Sequence, residues 1–429
     1  MNEIDVAIVG AGAAGLAAAR RLLAAGRSVT VLEARDRIGG RAWTEPDLAG
    51  HPVDLGASFI HVWLDNPWTE IARRHGVETV VDRRRRFLYV DGREAAPTEF
   101  SAFMAARQQA GEQVDEAAAM PVDGSIAEAL DLDGPFATQA RASLGPWLLG
   151  AENRDASALD FSRGVSGEDR LVPSGYGNLV GAYGHGVPVH LSTPVTRIRT
   201  RANRVDVTTD GATLTADHAL VTVPIGALAA EHIRFEPGLD ADHLRAIDGL
   251  PMGLLQKIVL AFDGDPFGLG DAYYLHERTA TDAAALYLCR PCGSDHVIAF
   301  VGGDLARRLE VEGEAAAAEF ALQPLRGLFG RSVDQRFAAS RQTRWGADPL
   351  ALGSYSVARP GASDHRLAFH RPHGERVHFA GEAAEASGWA ATVAGAFMSG
   401  QRAADAILDS FAGGNQPSRQ SRHRGTPSR

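Results

Sequence analysis

Lysine is almost missing from this sequence: of 43 Lys plus Arg residues, 42 are arginine, and Lys257 stands alone. A chain that uses arginine at every other basic position retains lysine only where a planar, bulky and permanently charged guanidinium fails. Cysteine is nearly absent as well, which leaves one Cys-x-x-Cys pair, Cys289 and Cys292, as the cysteine chemistry to weigh. It follows a strand-like ALYL and precedes GSDH. It therefore reads as two thiols at a strand end and turn, not as a helix N-terminus that activates a thiolate. Positive charge is outnumbered, and the formal net charge of −10 argues against a nucleic-acid surface and mildly favours cationic ligands. No apolar run reaches the length of a membrane span, and a strand pattern, IDVAIVG, begins by residue 4. The expectation is a cytoplasmic protein with no membrane segment and no signal peptide.

What is present describes an enzyme-sized globular chain. Its 429 residues suit two or three domains, and 45% apolar with 22% charged residues places it far from disordered sequences. The lone lysine lies in Pro251 to Phe262, PMGLLQKIVLAF, where Leu255, Lys257, Val259 and Ala261 would share one face of a strand. An ammonium on such a face is costly unless it is paired or employed.

The first forty residues carry the most specific pattern. A short β run, Ile4 to Val9, leads into Gly10-Ala11-Gly12-Ala13-Ala14-Gly15, then a helical LAAARRLLAAG, then a second strand ending at Glu33, 18 residues beyond Gly15. This is the strand, glycine turn, helix and distal acid of a dinucleotide site. Gly10 permits the tight turn, Gly12 lets a pyrophosphate approach the backbone, and Gly15 lets the helix pack on the strand. The helix N-terminus offers free N–H groups to phosphates, and Glu33 is placed to accept from ribose hydroxyls.

After Glu33 the chain reads Ala34-Arg35-Asp36-Arg37-Ile38-Gly39-Gly40-Arg41-Ala42, and later VDLGASFIH, Val53 to His61. LEARDRIGGRA resembles the segment that follows the dinucleotide fingerprint in flavin-containing amine oxidases, the family of monoamine oxidases, polyamine oxidases and flavin-type histone demethylases. The resemblance implies FAD, not NAD. Gly40 and Arg41 would contact its diphosphate, and Gly56, Ala57 and Ser58 would pass beside the flavin ring.

The resemblance extends over about 400 residues. SGYGNLVGAYGHGVPVHLSTPVTRI resembles the domain crossover and its adenine-side valine, Val195. RVHFAGEAAEASGWAATVAGAFMSGQRAADAIL resembles the C-terminal flavin segment, with Gly381 and Glu382 at the ribityl-phosphate region and Thr392 and Val393 opening a helix toward the ring. Between these, residues 99 to 150 have helical spacing with Ser125 as an N-cap, and 188 to 223 read as a β meander turning at Asp210-Gly211. Strand patterns recur at 255 to 263, 284 to 290 and 296 to 302, and an Ala-rich helix at 313 to 328.

The expected fold class is α/β, α+β overall: a Rossmann-type FAD-binding domain interleaved with a substrate-binding domain of mixed sheet plus helices. The expected boundaries are 1–75, 186–240 and 371–412 for the first, 76–185 and 241–370 for the second, and a disordered basic tail at 413–429. Arg83 to Arg86 reads as a solvated strand entrance, with an anion or partner patch as the minority reading.

In the family, PMGLLQKIVLAF resembles the strand whose lysine hydrogen-bonds a water beside flavin N5, which makes Lys257 the catalytic candidate. Arg344-Trp345-Gly346 with Gly353-Ser354-Tyr355-Ser356 resembles the polyamine-oxidase form TRW and GSYS. Trp345 would sit at the flavin edge and Tyr355 would form an aromatic wall that orients amines. His61, Trp389 and Thr392 complete the expected substrate pocket.

Three departures qualify the match. Ser354 replaces the cysteine that attaches flavin in monoamine oxidases, implying non-covalent FAD. Thr392 stands where those enzymes place a second caging tyrosine, with Trp389 three residues earlier. Val-Trp-Leu-Asp-Asn-Pro, not glycine, follows His61.

The implied activity is hydride transfer from the α-carbon of a small-molecule amine to flavin N5, giving an imine, with molecular oxygen as acceptor and hydrogen peroxide as product. Polyamines or secondary amines rank first. The competing readings are an L-amino-acid oxidase, which needs a pocket arginine, and a flavin-binding or desaturase-like relative without amine turnover. No nucleic-acid partner is expected, and no number of subunits is assigned.

Overall fold

A computed structural model describes residues 4–281 and 283–413; the predicted basic tail falls, apart from Gly413, outside the described residues. Two sheets organise the chain. The first runs, in spatial order, Val189–His190, Val29–Leu32, Ile4–Val9, Thr213–Val221, Val205–Thr209, Val195–Thr200 and Arg234–Glu236, with Val377–Phe379 added parallel to Thr213–Val221. Ile4–Val9 pairs in parallel with Val29–Leu32 and with Thr213–Val221, as a βαβ unit requires. Helix Ala13–Ala24, rich in alanine and fully buried along one side, fits between this sheet and helix Val393–Gly413. Small side chains let the two helices approach closely: a Cβ on Gly400 would fall 2.2 Å from the Ala14 carbonyl oxygen.

The second sheet runs Phe337–Gln342, Leu255–Phe262, His296–Gly302, Leu286–Cys289, Tyr273–Glu277, Arg85–Val90 and Arg93–Glu94. Leu255–Phe262 pairs on both edges and is covered on both faces, which explains its near-continuous apolar run. Ile258, Leu260 and Phe262 pack toward helices Gly303–Glu312 and Glu314–Phe329. Lys257, Val259 and Ala261 point the other way, where Val259 and Ala261 meet Leu48, Val53 and Leu55. The chain thus alternates between two sheets, entering the second at 85–94 and 255–342 and returning to the first at 189–236 and 377–379.

The stretch 99 to 150 is one 22-residue helix, Pro97–Ala118, followed by short pieces, Ile126–Ala129, Ala137–Ala142 and a π turn Gly145–Leu149. Gly and Pro at 121, 124, 134, 135, 145 and 146 break the helical pattern. Ser125 does cap the first short piece, in a reciprocal pair with Glu128. Strand Leu286–Cys289 is shorter than its predicted range, and the Cys-x-x-Cys segment leaves it through a 3-10 turn, Pro291–Gly293. Cys289 is buried and Cys292 exposed, and both are free thiols. No described helix is long and apolar enough to cross a membrane.

Candidate active site

A cavity of about 960 Å³ runs from the first glycine turn to the face of the second sheet that carries Lys257. At its first end, strand Ile4–Val9 stops at Gly10, whose φ of +104° a side chain would strain, and helix Ala13–Ala24 starts immediately after Gly12. No side chain caps that helix, so its first N–H groups remain available to an anion. A Cβ on Gly15 would lie 2.0 Å from the Gly10 carbonyl oxygen, so Gly15 packs behind the turn and does not line the cavity. A Cβ on Gly12 would meet nothing within 4 Å, so the space beside it is the room a bound diphosphate needs. Glu33, buried at the end of the second strand, accepts from the Ala11 N–H at 2.7 Å and the Arg35 N–H at 2.8 Å, which fixes its carboxylate at the cavity wall.

The remaining expected cofactor residues, Ala14, Ala34, Arg35, Gly40, Arg41, Gly56, Ala57, Ser58, Val195, Trp345, Gly381, Glu382, Thr392 and Val393, all line the same cavity. They come from six separate parts of the chain, and two polar clusters hold them in place. In the first, Arg41 donates to Glu382 at 2.9 Å and to the Ser354 carbonyl at 3.0 Å. Glu382 also accepts from the Ser356 hydroxyl at 2.6 Å and from the Ala391 N–H at 3.2 Å. Burial works to raise this carboxyl, but Arg41, Ser356 and Arg366 outweigh it and hold it below the ordinary glutamate range. Thr392 accepts from the Gly395 N–H at 2.9 Å, capping helix Val393–Gly413, whose first turn faces the cavity.

The second cluster surrounds Lys257. Its Nζ donates to the carbonyl oxygens of Asp54 at 2.7 Å and Gly56 at 2.5 Å, and to the Ser58 hydroxyl. All three N–H directions of the ammonium therefore end on protein oxygens of one segment. The resemblance assigned this lysine to a water; here it staples the Gly56-Ala57-Ser58 strip against the second sheet. Burial pulls its pKa down to about 8, partly countered by the Asp54 carboxylate, whose own pKa desolvation raises. Asp54 accepts from Thr44 Oγ1 at 2.6 Å and from the Tyr176 N–H at 3.0 Å. Sequence reasoning missed it; the signal was an acid two residues before Gly56, in VDLGAS.

Aromatic groups border the same space. Trp345 donates from Nε1 to the Leu55 carbonyl at 3.0 Å, and Tyr355 from its hydroxyl to the Leu148 carbonyl at 2.7 Å, which leaves both rings fixed at the wall. His61 stacks on Phe59 and lies 3.3 Å from Asp169. Trp389 is not a lining residue; it packs with the helix core, and its carbonyl accepts from Thr392 Oγ1 at 2.7 Å. Ser354 occupies the position facing Leu255, exchanging hydrogen bonds with that residue's N–H and carbonyl, and neither cysteine lines the cavity. A covalent thioether to flavin has no donor here. Arg84 and Arg86, from the run predicted as a solvated strand entrance, line the cavity as well.

A family model for flavin-containing amine oxidoreductases matches residues 13–146 and 144–408. The chain belongs to that family. Among relatives, Protein FLOWERING LOCUS D of Arabidopsis thaliana is 33% identical, the alignment covering 94% of this chain and 55% of that protein. Polyamine oxidase 4 of Oryza sativa subsp. japonica is 29% identical, over 94% of this chain and 88% of that one. The structure of cyclohexylamine oxidase from Brevibacterium oxydans IH-35A superposes with a TM-score of 0.81 at 24% identity, covering 96% of this chain and all of that one, which shows a shared fold. The chain spans about half the length of FLOWERING LOCUS D. Its cofactor is FAD, non-covalently held, and the cradle beside Gly12, the free helix N-terminus and the buried Glu33 fit such a dinucleotide.

Proposed function

We propose that the protein oxidises small-molecule amines at the carbon next to nitrogen. The substrate C–N bond becomes an imine, which water hydrolyses to an aldehyde and an amine, and dioxygen takes the electron pair with two protons to give hydrogen peroxide. The bound flavin supplies the two-electron acceptor. The dinucleotide would be carried by 1–75, 186–240 and 371–412, and the substrate by 76–185 and 241–370, as the alternation between the two sheets suggests.

The observation that carries this reading is the single cavity joining the glycine turn at Gly10 and Gly12 to Lys257 and the walls of Trp345 and Tyr355. Rigid aromatic walls orient a neutral amine, and fixed orientation supplies much of the rate. Lys257 holds the strip Gly56 to Ser58 in register, and with a pKa near 8 it is also able to exchange a proton at Nζ near neutral pH. Polyamines and secondary amines are the substrates that the TRW and GSYS motifs favour, and the relation to a rice polyamine oxidase supports that ranking.

The test is an anaerobic amine panel followed by air. Loss of the oxidised flavin band with at least one amine, its return in air and equimolar peroxide are expected. A flavin that stays oxidised with every amine would leave only a binding protein.

A further inference from the structure

The end of the cavity away from the glycine turn carries two arginines, Arg86 and Arg107, that the amine oxidation reading does not use. The long helix Pro97–Ala118 buries Phe103, Ala110 and Val114, a stripe at helical spacing, and Arg107 falls on that same stripe. Its guanidinium faces the cavity, with a buried Nε that has no hydrogen-bond partner. Arg86 lies beside it, its Nη1 donating only to the Arg84 carbonyl at 3.0 Å and its guanidinium over the Tyr274 ring. His276 is buried between Phe103 and Trp147, and neither ring nitrogen has a partner.

The acids at this end are held by partners other than Arg86 and Arg107, including Asp115, two turns further along the same helix, which accepts from the Ser162 hydroxyl at 2.6 Å. Asp169 pairs with Arg84 at 2.7 Å and with His61, Asp82 accepts from the Tyr274 hydroxyl at 2.7 Å, and Asp160 pairs with Arg366 at 2.8 Å. Among the described residues, Arg86 and Arg107 make no ion pair, while Asp82 and Asp169 both turn to Arg84. Desolvation, then the neighbouring guanidiniums of Arg86 and Arg84, pull Arg107 down to about 10.

Sheet register gives the separation. Lys257 pairs with Phe300, Phe300 with Leu286, and the ladder of the next strand pair places His276 beside Leu286; Tyr274 pairs in turn with Arg86. Facing residues share a side of the sheet, so these form one floor. Three strand spacings put the His276 backbone roughly 14 Å from that of Lys257.

We propose that Arg86 and Arg107, with His276, form an anion subsite that takes the carboxylate of an amine whose acid group lies several bonds from the carbon oxidised. The assignment rests on amine oxidation at the Lys257 end and replaces the polyamine ranking with an amino carboxylate.

The test uses the FAD-loaded protein and three ligands of equal length: 8-aminooctanoate, octylamine and 1,8-diaminooctane. Titrated anaerobically, the amino acid is expected to reduce the flavin at roughly ten- to hundredfold lower concentration than octylamine, the range for hydrogen bonds to a charged group, with the diamine weakest. Arg107→Gln and Arg86→Gln should erase the advantage and leave octylamine unchanged. A diamine as effective as the amino acid, or an advantage that survives both substitutions, overturns the subsite while amine oxidation stands. If no amine reduces the flavin, amine oxidation fails, and calorimetry with octanoate still decides the subsite. Binding to wild type that Arg107→Gln weakens about tenfold supports it, and no binding or equal binding overturns it. Should the variants not retain FAD, the order of the three ligands on wild type decides.

Discussion

Lys257 donates to the main-chain carbonyl of Gly56 at 2.5 Å, tying the sole lysine of the chain to the strip that borders the cavity between its two sheets. Arginine cannot take this place: its planar fork does not fit three oxygens gathered around one point. Lys257→Met should leave the Asp54 and Gly56 carbonyls and the Ser58 hydroxyl without their donor, at about 1–3 kcal/mol for an unsatisfied buried group. The expected result is a lower urea midpoint, retained FAD, and flavin reduction or reoxidation slower by roughly a hundredfold or more, the scale of a lost proton-handling or positioning group. Stopped-flow traces indistinguishable from wild type would remove Lys257 from the chemistry.

The depressed pKa of Lys257 has a sign. Between about 8, its folded value, and 10.5, its ordinary value, the unfolded chain carries a proton that the folded chain has released. Stability therefore rises with pH across that window, by at most about 1.4 kcal/mol per pH unit for one proton. Below 8 both states are protonated and the full cost of burying the ammonium is present. Urea titrations from pH 7.5 upward should show this rise in wild type and not in Lys257→Met; parallel curves would mean the lysine is not desolvated.

Two glycines of the same turn should fail differently. Gly15→Ala sets a Cβ 2.0 Å from the Gly10 carbonyl oxygen, so the apoprotein itself should be destabilised. Gly12→Ala meets nothing within 4 Å, and its backbone φ of −77° suits alanine. Apoprotein stability should stay within about 0.5 kcal/mol of wild type, as for an unhindered surface change, while FAD binding is lost. Thermal melts of the stripped protein and fluorescence titration with FAD separate the two, and tight FAD binding by Gly12→Ala would place the diphosphate elsewhere.

Sequence made the glycine turn, Glu33 and Lys257 legible because each is a local pattern with a local cause: a turn, a helix start, a charge in an apolar strand. The strands at 205–209 and 213–221 were legible from alternation around Asp210-Gly211. Arg107 was not, because it stands among 42 arginines, and only the burial of Phe103, Ala110 and Val114 shows that its helix face turns inward. Nor was the grouping of Arg84 and Arg86 with Arg107, which depends on the pairing of Arg85–Val90 with Tyr273–Glu277, about 190 residues away in sequence. Trp389 read as a pocket aromatic from its motif, whereas its carbonyl is used to fix Thr392 and its ring packs with the helix core.

The pair Arg41–Glu382 ties the segment after the first βα unit to the turn before helix Val393–Gly413, so its loss should be felt in both stability and cofactor affinity. Glu382→Gln keeps the shape but leaves Arg41 without its carboxylate partner, whereas Arg366 keeps Asp160; breaking one side of a buried pair costs up to about 3–5 kcal/mol. Because Glu382 is held below the ordinary glutamate range, its contribution is complete above that range and is lost as pH falls through its depressed folded value. Wild type should therefore show a steep acid limb in its unfolding free energy that is shallower in Glu382→Gln, together with weaker FAD retention at neutral pH. If the variant matches wild type in both the acid limb and FAD affinity, this carboxylate does not hold the two segments together.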